Sequence, residues 1–248
     1  INNKIKVFSY AEFQSEFYSL KYGIDRNKIY AVGIPRHDQR WIKKIQEESG
    51  SLPYQFDDDN TIILLSLQVS NSGISFDQKF QTIKNIKKIL IDELGMRIVI
   101  KLHPNEKQEK IYADKNDRLY ENILGLNNYG LTWVYSDLHV FALGRGKRLA
   151  ISLGTGVAFD MVAMGVPCIE YVEFNNSKKN PSEFVDCGLV EGASNLQELC
   201  NYIDRLFIDS SQISAHSTNV YKKYFSILND ASMKAAYEII AEKDTNNI

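Results

Sequence analysis

RLAISLGTGVAFDMVAMGVPCIE, residues Arg148 to Glu170, reads as strand, tight turn, helix and strand. Leu149 to Ser152 is a short apolar run, Gly154-Thr155-Gly156 breaks it, and Val157 to Met164 has helical spacing. Gly165-Val166-Pro167 then stops the helix before a second apolar run. The stretch is one βαβ unit. Its small, glycine-flanked turn leaves backbone N–H groups open at a helix N-terminus, where unpaired donors and the positive end of the helix favour a phosphate. Ser152 and Thr155 add hydroxyl donors, and the carboxylate of Asp160, about a turn further on, suits a ribose diol. A plainer reading stands beside this one. Any sharp strand-to-helix turn needs small residues, Ser152 and Thr155 are good helix caps, and Asp160 fits a solvated helix face.

Outward from this unit, strands and helices alternate. Thr61 to Leu67 is a strongly apolar strand, and Phe76 to Leu94 a long amphipathic helix with Ile83, Ile86, Leu90 and Leu94 on one face. Met96 to Leu102 is the next strand, ending in His103-Pro104. A charged, poorly periodic stretch to Asp117 follows, then a helix around Leu119 to Leu126, a strand at Leu131 to Tyr135 and a short helix near Leu138 to Leu143. After the opening unit come a helix at Leu196 to Ile208 and a helical tail from Ser217 to Glu242. This alternation predicts an α/β fold, a Rossmann-like doubly wound parallel sheet from Thr61 onward. Upstream, Ile5 to Phe8 reads as a strand, Ala11 to Tyr22 as a helix and Lys28 to Ile34 as another apolar run. The polar segment ESGSLPYQFDDDN has the turn and charge content of a linker. The expected division is residues 1–47 as the end of a first domain and hinge, 48–60 as linker, and 61–248 as a second domain with C-terminal helices.

At 248 residues and 44% hydrophobic, the chain can bury a sizeable core. A net charge of -2, with acidic and basic residues mixed along the chain, argues against nucleic acid as a partner. Cys168, Cys187 and Cys200 are too few and too scattered for a disulfide framework or a metal site, which fits a reducing, cytoplasmic setting. The most apolar stretch is far short of a membrane span, and no signal peptide is visible. The chain begins at Ile1 rather than Met, as a piece of a longer protein would.

In doubly wound sheets ligands bind beyond the carboxyl ends of the strands. Three such ends carry suggestive residues: His103 after RIVIKL, Trp133 to Ser136, and Ser152 with Gly154, Thr155 and Gly156. An imidazole on a phosphate, an aromatic or backbone edge for a base, turn donors for a diphosphate and Asp160 for ribose together describe a nucleotide site. The alternatives are a histidine that only ends a strand, and a Trp133 that belongs to the core. His139 lies in an apolar helical pattern and reads as packed or surface rather than catalytic, and His216 reads as solvated. Arg36 and His37 line a cleft or sit in a loop; Glu170 ends a strand where a sugar contact is open to it. Asp57-Asp58-Asp59 precedes its strand and reads as a solvated run rather than a metal site, and Gly144-Arg145-Gly146 as a helix stop.

The series KLHPN at Lys101 to Asn105, TWVYSDLH at Thr132 to His139 and ISLGTGVAFDMVAMGVPCIE at Ile151 to Glu170 resembles the donor-nucleotide half of two-domain glycosyltransferases of the GT-B fold. The likeness is to bacterial surface-polysaccharide enzymes: capsule glycosyltransferases, transferases that use CDP-glycerol, and CMP-sugar transferases with a His-Pro motif. FSYAEFQSEFYSLKYGIDRNKIYAVGIPRHD is similar to the closing part of their first domain, most of which this chain lacks. The resemblance implies a glycosyltransferase that moves a sugar or sugar-like group from a CMP-, CDP- or UDP-linked donor to a glycan or lipid-linked acceptor. It implies His103 at the donor phosphate or leaving group, Ser152, Thr155 and Gly156 at the diphosphate, and Trp133 and Val134 framing the base. Asp160 stands where many relatives carry a glutamate, one methylene longer. No cofactor and no metal are expected. The setting implied is cytoplasmic, at the inner face of the membrane if the helical tail packs there. Two alternatives remain: an enzyme like UDP-N-acetylglucosamine 2-epimerase, and a non-catalytic nucleotide-binding or scaffold domain.

Overall fold

The computed structural model describes residues 6–66, 75–104, 106, 119–147, 149–171, 183–225 and 230–244. The chain divides into two compact units, one of Ile1–Glu47 with Asn219–Ile248, the other of Glu48–Thr218. In the first unit β1 (Val7–Ser9) leads into α1 (Glu12–Tyr22), which ends at Gly23 with φ 64°, a left-handed cap that glycine adopts without strain. β2 (Ile29–Ala31) then pairs in parallel with β1, Val7 opposite Ile29, and α2 (Gln39–Glu48) follows. This last helix was not expected from the sequence.

The second unit is built on β3 (Thr61–Leu65), β4 (Arg97–Lys101), β5 (Trp133–Tyr135), β6 (Ala150–Ser152), β7 (Cys168–Tyr171) and β8 (Glu191–Ala193). They form one sheet in the order β5-β4-β3-β6-β7-β8, with every neighbouring pair parallel. The sheet is Rossmann-like: the chain lays strands outward from β3 in one direction, then returns to β3's other side and lays the rest the other way. β3 reads TIILL and is buried at every position, as a central strand covered on both faces must be. β8 reads Glu-Gly-Ala, which carries no apolar run, and only its pairing with β7 makes it a strand.

α3 (Phe76–Ile86) begins with a capping box: Ser75 Oγ accepts from the Gln78 N–H at 3.1 Å, and Gln78 Oε1 accepts from the Ser75 N–H at 2.8 Å. From Lys87 to Glu93 the helix widens into π-helical turns, the Leu94 N–H reaching back five residues to the Ile89 carbonyl. Ile83, Ile86 and Leu90 are buried as expected, whereas Leu94 is 43% exposed, because the wider turns rotate it off the apolar face.

The remaining helices are α4 (Leu119–Leu124), α5 (Val140–Leu143), α6 (Ala158–Ala163), α7 (Glu183–Asp186), α8 (Leu196–Ile208), α9 (Ser210–Tyr224) and α10 (Ala231–Asp244). α9 carries the chain from the second unit back to the first. Grouping the C-terminal helices with residues 61–248 is therefore corrected for 219–248. Tyr221 OH lies 2.7 Å from His37 Nδ1, and the Asp38 carboxylate accepts from the Ala231 N–H at 2.8 Å and the Ser232 N–H at 3.1 Å. Asp38 caps a helix 193 residues away.

Residues 48–60 are packed rather than a free tether. Phe56 is fully buried, and Lys147 Nζ donates to the Phe56 carbonyl at 2.9 Å and the Asp58 carbonyl at 3.0 Å. The acidic run meets bases: Asp57 lies 3.7 Å from Lys147, and Asp58 pairs with Arg97 while accepting from Thr61 Oγ1 at 2.9 Å. Burial raises the Asp58 pKa, but the Thr61 hydroxyl, Arg97 and Lys147 together hold it below the ordinary carboxylate value.

Candidate functional site

The strand order reverses between β3 and β6, the place at which ligands bind beyond the carboxyl ends of the strands in doubly wound sheets. Ser152 and Lys101 both stand opposite Leu65 in the sheet register, and Glu170 stands opposite Ser152. One row across the sheet's carboxyl edge thus holds the start of the Gly154–Gly156 turn, the strand end before His103, and Glu170. Asn105, residues 107–118, and the loop residues 67–74 and 172–182 lie outside the described residues.

Ser152 is fully buried, and its hydroxyl makes the turn rather than facing out of it. It accepts from the Gly154 N–H at 3.2 Å and the Thr155 N–H at 3.0 Å, and lies 3.4 Å from the Thr155 carbonyl. Two amides expected to be open to a phosphate are therefore taken by Ser152. Thr155 is buried too, with Oγ1 accepting from the Val157 N–H at 3.4 Å. Gly154 has φ 87°, a conformation that favours glycine, and Gly156 is exposed, with nothing within 4 Å of where a Cβ would stand. Both hydroxyls are engaged within the turn, and its exposed residue is Gly156. α6 behind it is only six residues long, so the turn rather than a helix dipole is the feature to consider.

Asp160 is 7% exposed, which removes the solvated-face reading. His139 is the N-cap of α5: its Nδ1 accepts from the Phe141 N–H at 3.2 Å, which requires a neutral ring. Burial lowers its pKa, Asp160 pulls it back up and Lys101 pushes it down again, leaving it below the ordinary histidine value. Lys101 Nζ ties down the same loop through the carbonyls of Asp137 at 3.0 Å and Leu138 at 2.7 Å.

Trp133 and Val134 require correction. Trp133 is fully buried at the amino end of β5, donates from Nε1 to the Gly125 carbonyl at 3.0 Å, and packs edge-on against Tyr129 and Tyr135. Val134 is buried in mid-strand. Both side chains belong to the core, so neither is presented at the surface to stack on a base. His37 is likewise a packed residue of the first unit, bonded to Tyr221, while Arg36 beside it is exposed. Glu170 is 1% exposed at the end of β7, a core position rather than a surface one. Among the described residues no group of three or more His, Cys, Asp or Glu side chains could hold a metal ion.

His103 is half-buried just past β4 and belongs to a network that sequence reasoning missed. Its N–H donates to Glu106 Oε2 at 2.9 Å, and the Glu106 N–H donates to the His103 carbonyl at 2.9 Å. Glu106 Oε1 accepts from Ser66 Oγ at 2.9 Å and pairs with Lys79, both side chains of that pair being almost completely buried. Ser66 Oγ also shares a hydrogen bond with Tyr120 OH. Burial lowers the Lys79 pKa, with Glu106 opposing, and burial and Glu106 together raise that of Tyr120 well above its ordinary value. Signals for this network existed in the chain. His-Pro-Asn-Glu has Pro and Glu where a capping box places them, and Lys79 shares the helical stripe of Ile83, Ile86 and Leu90, where a charge is out of place.

No family model matches this chain, and no curated protein matches it. Solved structures do. A Listeria monocytogenes protein provisionally assigned as a UDP-N-acetylglucosamine 2-epimerase aligns over 96% of this chain and 59% of its own, with TM-score 0.67 and 17% identity. The wall teichoic acid polymerase TagF aligns over 96% of this chain and 58% of its own, with TM-score 0.58 and 15% identity. The Methanocaldococcus jannaschii UDP-GlcNAc 2-epimerase, solved with UDP-GlcNAc and UDP, aligns over 81% and 54%, with TM-score 0.54 and 19% identity. These likenesses give the fold: an α/β, Rossmann-like architecture of the GT-B type. The chain spans somewhat more than half the length of each of these structures.

Proposed function

We propose that this chain is the donor-handling part of a glycosyltransferase that moves a sugar or sugar-like group from a nucleotide-activated donor to a surface-polysaccharide acceptor. The observation that carries the reading is the strand reversal between β3 and β6, with the half-buried His103 and the Gly154–Gly156 turn, exposed at Gly156, following the carboxyl ends of β4 and β6 on either side of it. The fold shared with TagF supports it. In this scheme the exposed Gly156 end of the turn and His103 hold the donor phosphates, and catalysis is mainly positioning and electrostatic stabilisation of the departing nucleotide. Asp160, buried on α6 just after the turn, is the residue proposed for ribose. The acceptor is a glycan or a lipid-linked saccharide. No described helix is long and apolar enough to cross a membrane.

A second reading, an enzyme acting like UDP-N-acetylglucosamine 2-epimerase, is supported by the higher TM-score of 0.67 with the Listeria monocytogenes structure. Calorimetric titration with CMP, CDP, UDP and UDP-N-acetylglucosamine tests the shared premise. Binding of one nucleotide family, weakened in His103→Ala and in Gly154→Ala, is the expected result; a folded chain that binds none of them overturns it. Nucleotide release on adding an acceptor then supports transfer, and conversion of the sugar without acceptor supports epimerisation.

A further inference from the structure

We propose that Glu106, locked in place by Lys79, is the positioning residue for His103, an inference that rests on the nucleotide-handling reading of this site. One carboxylate ties together three pieces of chain at the sheet's carboxyl edge. Its Oε2 accepts from the His103 N–H at 2.9 Å, its Oε1 accepts from Ser66 Oγ at 2.9 Å at the end of β3, and Lys79 on α3 pairs with that same Oε1. The Glu106 N–H closes the turn by donating to the His103 carbonyl at 2.9 Å. His103, which follows β4, is thereby referenced to β3 and to α3.

Holding a loop closed does not require a charge. Burying Lys79 and Glu106, each with a side chain only 2–3% exposed, carries a desolvation cost that an apolar pair of similar volume avoids. What the carboxylate supplies and an apolar pair does not is direction: a charge-assisted bond aimed at one backbone N–H, that of His103. Lys79 neutralises the carboxylate and occupies Oε1, leaving Oε2 for the histidine amide. A side chain that must meet a phosphate needs its backbone held to a fraction of an ångström, and this network sits directly behind it.

The test compares wild type, Glu106→Gln, the paired variant Lys79→Met/Glu106→Leu, and each of these with His103→Ala. Amide hydrogen exchange at His103 reads the positioning itself, without any ligand. The expected result is at least a tenfold faster exchange at His103 in the paired variant, with β4 amides unchanged, and partial protection in Glu106→Gln, whose Oε1 can still accept. Titration with UDP, CDP and CMP against uridine and cytidine reads the consequence. The paired variant is expected to lose about tenfold in nucleotide affinity and little for the nucleosides, with no further loss once His103 is alanine. Unchanged exchange at His103, or equal losses with and without the His103 side chain, overturns the proposal. If the paired variant does not fold, Glu106→Gln decides by the same two readouts. Wild type that protects the His103 amide through Glu106 but binds no nucleotide would refute the nucleotide reading while leaving the positioning geometry intact.

Discussion

Lys79→Met removes the ammonium from a pair almost wholly withdrawn from water, leaving the Glu106 carboxylate buried with the Ser66 hydroxyl and the His103 N–H as its donors. Two hydrogen bonds do not replace a counter-charge. Breaking one side of a buried pair costs about 3–5 kcal/mol, a large part of the roughly 5–15 kcal/mol that holds a domain together. For a unit the size of Glu48–Thr218 this corresponds to a fall in Tm on the order of 6–20 °C. The chain's tryptophans make the assay local. Trp133 is fully buried in the second unit and Trp41 is partly exposed in the first, so in a Trp41→Phe background urea unfolding followed by fluorescence reports the unit that contains Lys79. Lys79→Met should lower the midpoint with an unchanged slope. Replacing both partners, as Lys79→Met/Glu106→Leu, should be less destabilising than Lys79→Met alone, because no orphaned charge remains. A single-variant loss under about 1 kcal/mol, or a paired loss equal to the sum of the singles, would refute the account of a desolvated, mutually dependent pair.

At Gly154 the positive φ makes alanine strained, so Gly154→Ala should cost about 1–2 kcal/mol in urea unfolding and disturb the Ser152 bonds that shape the turn. Asp38→Ala removes both acceptors at the start of α10, and a loss of about 1–2 kcal/mol, with earlier proteolytic release of the C-terminal helix, is expected. His139 should show its cap in a pH series. Its folded pKa is depressed, so the unfolded chain takes up the proton first; the cap's contribution is present above about pH 6.5 and is lost as pH falls through the lower folded value. Hydrogen exchange at the Phe141 amide should therefore lose protection on acidification, and His139→Ala should abolish that pH dependence. Protection at Phe141 that is the same in wild type and in His139→Ala would rule the cap out.

Much of the second unit can be read along the chain, because its signals are local. An apolar run between turn residues is a strand wherever it packs, and Gly154-Thr155-Gly156 must turn whatever surrounds it. Ile83, Ile86 and Leu90 mark the buried face of α3 by spacing alone, and the alternation of strands and helices is enough to call for a parallel, doubly wound sheet. What the chain order does not carry is whatever depends on residues distant in sequence. β8 is a strand only because β7 offers it an edge, and Leu94 leaves the apolar face because the helix widens after Ile86. Trp133 looks like a base-stacking ring in its motif, yet it lies in the core, since the strand presents it at the amino end against Tyr129 and Tyr135. Asp38 finds the amides of Ala231 and Ser232, and Tyr221 finds His37, so the tail joins the first unit by contacts no window of sequence contains. The same holds at the site. Sequence placed His103 after a strand, but only folding brings Ser66, Lys79 and Tyr120 around Glu106, because burial and charge pairing are properties of neighbours in space and periodicity reports only neighbours along the chain.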